Sequence, residues 1–199
     1  MPWTELTALL LFATAMSFTP GPNTTLAAAL AAQGGLRHAM PFVLGVPVGW
    51  GLLLLACSAG LGGVLQAAPA LRGTLKWLGL ACMLWLAWKL ARADRLAQAD
   101  PARFQVGFFK GVALQFVNIK AWMNALLVSA GWITVADPMG PRLAVVLPLM
   151  MAFGLASNFS YALVGSSLRG WLQRGRRLQV FNRVLAGVLV ATALWMVQL

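Results

Sequence analysis

Apolar residues run in six long stretches along the chain, and short polar segments separate them. A helix that crosses a bilayer needs about 20 consecutive, mostly apolar residues. The pattern therefore predicts six transmembrane helices, at residues 6–32, 41–65, 71–91, 108–135, 143–168 and 178–198. No soluble domain is expected between them, so the whole chain, residues 1–199, is predicted to be one all-α, polytopic transmembrane domain.

The composition agrees with a membrane environment. Hydrophobic residues make up 60% of the chain and charged residues 10%, and the mean hydropathy is +0.79. Soluble domains carry about 25% charged residues, so this chain has too little polar surface to cover a water-facing globule. The first apolar stretch has no positive leader and is longer than the core of a signal peptide, so we expect it to be retained.

Lysine and arginine residues are distributed unequally between the predicted loops. Of the 15 in the chain, eleven lie in or beside the loops after helices one, three and five, three follow helices two and four, and Lys120 lies within helix four. Because cytoplasmic loops carry the excess of positive charge, both termini are predicted to be periplasmic. The net charge of +11 is then explained by the orientation in the membrane. Nucleic-acid binding is not expected, because it requires basic residues clustered on a soluble face.

The six helices divide into two sets of three, at about residues 1–92 and 107–199, joined by a cytoplasmic connector at about 92–106. Three crossings invert the second set relative to the first. Inverted repeats recur in secondary transporters, which bind substrate near the midplane at the repeat interface. Polar interruptions in helices one and four favour this arrangement; an alternative is five spans plus a re-entrant first segment.

The strongest local feature is the sequence TPGPN in the middle of helix one. Pro20 and Pro22 each lack an N–H and clash with the preceding turn, and Gly21 lets the chain bend, so helix one must be broken here. Broken backbone at membrane depth is tolerated where it is buried in protein or lines a wet cavity. The half-helix that restarts at Pro22 points free N–H groups at this cavity, where a substrate carboxylate fits, and Asn23 and Thr24 add polar side chains.

Helix four carries a second group of polar residues. Gln115 and Asn118 share one helix face, as do Lys120 and Asn124. Lys120 lies about 15 Å deeper than Lys110 and therefore near the middle of the bilayer, where a charge is costly and typical of a functional site. It is predicted to hold an anionic group, to change protonation during a transport cycle, or to cap carbonyls of the broken helix one.

Helix five carries Asn158 and Tyr161 on one face, and such residues either hydrogen-bond neighbouring helices or contact a substrate. A cationic substrate would need a buried acid, and Lys120 would repel it. The acidic residues instead all lie in loops or at helix ends: Glu5, Asp94, Asp100 and Asp137. The sequence therefore favours a neutral zwitterionic or anionic substrate.

Catalytic chemistry is not expected. One histidine, four scattered acids and two separate cysteines provide no acid–base pair, metal site or nucleophile–base pair. The ATP-binding pattern GxxxxGK[ST] is absent as well. We therefore expect no enzyme, no cofactor and no metal. A membrane scaffold or a pore subunit without a transport cycle is kept as an alternative.

These features resemble the lysine/homoserine exporter (LysE/RhtB) family through TPGPN in helix one and Asn118 and Lys120 in helix four. Residues 85–89 and 113–120 are most similar to the cysteine and O-acetylserine exporters. The resemblance implies efflux of a small neutral amino acid or derivative, of the cysteine/O-acetylserine, homoserine or threonine type, across a bacterial inner membrane and driven by the proton gradient. It also implies a translocation site formed by Pro20, Gly21, Pro22, Asn23, Asn118 and Lys120.

The alternative substrates are another small metabolite or a basic amino acid. The expected partners are the amino-acid substrate, the proton and membrane lipid, and a homodimer is an open alternative. The sequence departs from the family at Ile119, because many members have Asn-Pro-Lys at this place. Without that proline, we expect helix four to continue unbroken or to bend less.

Overall fold

The computed structural model describes residues 1–93, 106–135, 138–172, 174 and 176–197, which form helices and turns without a β-strand. The α-helices are α1 (Trp3–Phe18), α2 (Pro22–Gly34), α3 (Leu36–Ala56), α4 (Gly62–Ala67), α5 (Pro69–Ala91), α6 (Phe108–Val117), α7 (Ile119–Val128), α8 (Gly140–Leu172) and α9 (Arg177–Val197). Two π-helical turns, Cys57–Leu61 and Ser129–Ile133, follow α3 and α7. The predicted all-α fold is confirmed.

Helices lie at all six predicted positions, and three of them consist of two α-helices each. Helix one is α1 with α2, helix two is α3 with α4, and helix four is α6 with α7. Helices three, five and six are α5, α8 and α9. Residues 94–105 of the predicted connector, the predicted helix end at residue 198 and the acids Asp94, Asp100 and Asp137 lie outside the described residues.

Within the described part of the chain, three helices are long and apolar enough to cross a membrane: Leu36–Val64, Gly140–Leu172 and Arg177–Trp195. The bent pair Phe108–Val117 and Ile119–Ile133 makes a fourth if it is counted as one span. Helix α1 has 16 residues and rises about 24 Å, less than the roughly 30 Å of a hydrocarbon core. Six spans arranged as two inverted repeats remain a prediction.

Helix four is broken at Asn118, although the residue that follows is isoleucine and not proline. Asn118 has an extended backbone, with φ −92° and ψ 105°, and the helices on either side are bent by 74°. The expectation that helix four continues unbroken without a proline is therefore wrong, and a smaller bend than a proline would produce stays a prediction. The Asn118 side-chain oxygen accepts a hydrogen bond from the Lys120 N–H at 3.1 Å, so Asn118 caps α7 and starts the new helix without a proline.

Small residues let the central helices approach closely. Residues 26–32 of α2 are almost fully buried, and a Cβ on Gly165 of α8 would collide with the Ala28 carbonyl. In the same way, a Cβ on Gly45 or Gly49 of α3 would collide with backbone carbonyls of α6. Helix α2 is therefore held against α8, and α3 against α6, at distances that only glycine permits.

The two larger hydrophobic clusters of the interior lie on either side of the breaks in helices one and four. The first joins α2 to residues such as Phe42 of α3 and Leu90 of α5, and Leu114 of α6 packs against it. The second joins Leu9 of α1 to Ala125 of α7, together with parts of α3 and α8. Helices one and four therefore each have one half in each cluster, and their breaks lie between the two clusters.

Candidate functional site

A cavity of about 70 Å³ lies where the two breaks meet. At about 10–15 Å³ for each water, this space is large enough for several waters or for the polar groups of a small molecule. Eight of the eleven site residues predicted from the sequence line the cavity: Gly21, Pro22, Asn23, Thr24, Asn118, Lys120, Asn124 and Asn158. Pro20, Gln115 and Tyr161 lie outside its lining.

Side chains from other helices bond to the carbonyl groups at the end of α1. Lys120 Nζ donates to the Thr19 carbonyl at 2.7 Å. The hydroxyls of Tyr161 and Ser157, both on α8, donate to the carbonyls of the two residues before Thr19. The last carbonyls of a helix have no intrahelical partner and carry a partial negative charge. Side chains of α7 and α8 therefore donate the hydrogen bonds that the last carbonyl groups of α1 lack.

Helix α2 starts after three intervening residues, Thr19, Pro20 and Gly21. Its first residue is Pro22, and a missing N–H costs nothing at that position. The Gly21 N–H donates to Thr24 Oγ1 at 3.0 Å, and the Thr24 hydroxyl donates to the Gly21 carbonyl at 3.2 Å. A Cβ on Gly21 would lie 3.2 Å from Lys120 Cδ. The absence of a side chain at Gly21 therefore lets the lysine cross the break beside the start of α2.

A pair of amides joins the break in helix one to the break in helix four. Asn23 Nδ2 donates to Gln115 Oε1 at 2.9 Å, and Gln115 Nε2 donates back to Asn23 Oδ1 at 3.1 Å. Gln115 Nε2 also donates to the Gly111 carbonyl at 3.0 Å, and Asn118 Nδ2 donates to Asn23 Oδ1 at 3.4 Å. Gln115 is fully buried, so it holds Asn23 in place from behind the cavity wall.

Three buried polar atoms of cavity-lining residues have no hydrogen-bond partner among the described residues: Trp50 Nε1, Asn124 Oδ1 and Asn158 Oδ1. The amide of Asn158 has a fixed orientation, because its Nδ2 donates to the Gly154 carbonyl at 2.8 Å. Sequence reasoning missed Trp50. An indole in an apolar helix gives no signal until the packing shows which face it occupies.

The charge of the cavity is positive. Lys120 is the one ionisable side chain among the described residues that line it, and the start of α2 adds the positive end of a helix dipole. No group of three His, Cys, Asp or Glu residues that could hold a metal ion is found in the described part of the chain. The wall thus combines a positively charged side with two free amide oxygens and one free indole N–H.

Comparison with known proteins gives a family and several relatives. The family model for the LysE type translocator matches residues 14–198. The cysteine/O-acetylserine efflux protein of Klebsiella pneumoniae subsp. pneumoniae is 31% identical over 191 residues, which cover 96% of this chain and 95% of the relative. Proteins of the same name from Salmonella choleraesuis (33% over 184 residues, 89% of each chain) and Escherichia coli strain K12 (30% over 191 residues, 96% of each chain) are similar. No solved structure matches the chain.

Proposed function

The chain belongs to the LysE type translocator family, and from this membership we propose that it is a secondary transporter that exports a small neutral amino acid or derivative from the bacterial cytoplasm. The names of its relatives support a substrate of the cysteine/O-acetylserine type, and homoserine and threonine have similar size and charge. The observation that carries the proposal is the positive cavity between two broken helices. Proton coupling, an inner-membrane location and periplasmic termini are part of the same proposal.

We assign the substrate carboxylate to the wall formed by Lys120 and the first turn of α2. Free N–H groups at a helix start attract anions, and the lysine ammonium adds a full positive charge beside them. Lys120 bonds to the Thr19 carbonyl with one of its donors, and an ammonium group has three. The lysine can therefore bind a carboxylate without leaving the end of α1.

We assign the substrate ammonium to the two free amide oxygens, Asn124 Oδ1 and Asn158 Oδ1. Hydrogen bonds from a charged donor are stronger than those between neutral groups, so amide oxygens are adequate acceptors for one ammonium. The described part of the lining has no carboxylate that could balance a second positive charge. This arrangement supports a neutral substrate over a basic one.

Part of the remaining wall is apolar and suits a short side chain. Met16, Val46 and Met150 line it, and methionine adapts its shape to irregular groups more easily than branched residues do. With the carboxylate and the ammonium placed as above, the substrate side chain faces these residues. The small cavity volume of about 70 Å³ then favours a compact amino acid.

Efflux from preloaded proteoliposomes tests the proposal. The vesicles are loaded with radiolabelled cysteine, O-acetylserine, homoserine, threonine or lysine, and release is measured with and without a pH gradient. We expect saturable, gradient-dependent release of at least one neutral amino acid and no release of lysine. Release without saturation would indicate a pore, preferential release of lysine would contradict the neutral substrate, and release of none would contradict amino-acid export.

A further inference from the structure

We infer that Trp50 determines substrate specificity by donating a hydrogen bond from its indole N–H to an oxygen atom of the substrate side chain. The inference rests on the proposed function and narrows it. The favoured substrates are small amino acids whose side chain carries an oxygen acceptor, such as a hydroxyl or an ester carbonyl. Trp50 then selects between substrates, whereas Lys120 and the start of α2 bind the carboxylate that all amino acids share.

The first observation is the state of the indole itself. Trp50 is 8% exposed and lines the cavity, and its Nε1 is buried without a hydrogen-bond partner among the described residues. An indole N–H can only donate, and buried tryptophans usually have a partner for it. An unpartnered donor beside a cavity is therefore best explained by an acceptor on the molecule that the cavity binds.

The second observation is the position of Trp50 relative to the two ends of the substrate. Trp50 packs in the hydrophobic cluster of α1 that includes Leu9, Ala13 and Met150. Helix α2, whose start is assigned to the carboxylate, packs in the other cluster. The indole and the start of α2 therefore belong to different parts of the cavity wall. A substrate held by its carboxylate at α2 can then place its side chain against the part that includes Trp50.

The third observation is the match between the free groups on the wall and an amino acid. Asn124 and Asn158 each present a free acceptor, and Trp50 presents a free donor. A substrate with an ammonium group and a side-chain oxygen satisfies all three. A purely aliphatic substrate leaves the indole N–H unpaired in an apolar wall, and sites built to hydrogen-bond a substrate group discriminate strongly against analogues that lack it.

The test compares the wild-type protein with Trp50→Phe on two matched pairs of substrates in the proteoliposome assay. Homoserine is paired with norvaline, in which a methyl replaces the hydroxyl, and O-acetylserine is paired with norleucine, whose side chain has the same length and no oxygen atom. We expect Trp50→Phe to lower kcat/KM about tenfold for the oxygen-bearing member of a pair, the size expected for one lost hydrogen bond. The other member should change by less than about twofold.

Trp122→Phe is the matched control. Its indole N–H already donates to the Phe116 carbonyl at 2.9 Å, and it does not line the cavity, so its loss should not alter the ratio within a pair. The wild-type protein supplies a second readout that needs no variant. If wild-type kcat/KM is equal for both members of each pair, the inference is overturned even where Trp50→Phe does not fold.

The outcomes separate this inference from the proposed function. If the wild-type protein transports the pairs and Trp50→Phe affects both members alike or neither, Trp50 does not bind the side-chain oxygen, and amino-acid export stands. If the wild-type protein transports no amino acid, the proposed function fails and the role of Trp50 fails with it. A loss of kcat/KM that is confined to the oxygen-bearing members supports both the role of Trp50 and amino-acid export.

Discussion

Replacing Ile119 with proline tests whether helix four is broken where the structure breaks it. Ile119 is the first residue of α7, where an N–H has no intrahelical partner. The residue before it, Asn118, already has the extended backbone (φ −92°, ψ 105°) that a following proline requires. Proline is favoured at the first position of a helix, so the backbone accepts this substitution without rearrangement.

Two small and opposing contributions determine how much Ile119→Pro changes the free energy of unfolding. Proline restricts the unfolded chain, which stabilises the folded protein by about 0.4–1 kcal/mol. The proline side chain has one carbon fewer than isoleucine, and its loss from the contact with Met83 and Ala193 costs about 0.8 kcal/mol. The net change is within about 1 kcal/mol. Ala125→Pro, in the buried middle of α7, removes a helical hydrogen bond and costs about 3 kcal/mol or more.

Thermal unfolding in detergent, followed by the loss of the monodisperse elution peak, measures both variants. For a chain of 150–250 residues, 1 kcal/mol shifts the midpoint by about 2–4 °C. Ile119→Pro should therefore stay within about 4 °C of the parent, and Ala125→Pro should fall by about 6 °C or more. If helix four were continuous through Ile119, the two prolines would destabilise equally, and that result would refute the break.

Three further predictions concern the packing around the site. Gly165→Ala places a Cβ against a carbonyl of α2 and should cost about 1–3 kcal/mol in the same unfolding assay, whereas Gly187→Ala, which meets open space, should not destabilise. Asn23→Ala and Gln115→Ala break the same amide pair, so a double-mutant cycle should show about 0.5–3 kcal/mol of coupling; additive losses would contradict the pairing. Tyr161→Phe should cost about 1 kcal/mol and leave the KM for efflux unchanged, because its hydroxyl bonds to α1; a raised KM would favour the other alternative from the sequence, in which Tyr161 contacts the substrate.

The break in helix one could be predicted from the sequence, and the break in helix four could not. Pro20 and Pro22 cannot both remain in a regular helix, so composition alone is decisive there. In helix four, the absence of a proline suggested continuity. The break depends instead on Asn118, whose side chain caps α7. Asparagine also occurs within helices, so its capping role depends on tertiary contacts that the sequence pattern does not contain.

The candidate site could likewise be predicted from the sequence only in part. The position of Lys120 beside the end of α1 follows from its depth in helix four and from the need of free carbonyls for a donor, and the contact with Thr19 agrees with that alternative. Periodicity placed Gln115 and Asn118 on one face without distinguishing their roles, yet Gln115 lies behind the wall and Asn118 on it. Trp50 could not be predicted, because the face of α3 that meets the cavity is set by packing.

Efflux by Lys120→Met most directly tests the claim that the two breaks form the substrate site. Methionine keeps an unbranched stem beside Gly21 and removes the ammonium, and Lys76→Met, on α5, is the control outside the cavity lining. A hydrogen bond to a charged group contributes about 1.5–3 kcal/mol, so we predict a roughly 10- to 150-fold lower kcat/KM for Lys120→Met and little change for Lys76→Met. Wild-type efflux by a folded Lys120→Met protein would contradict the site.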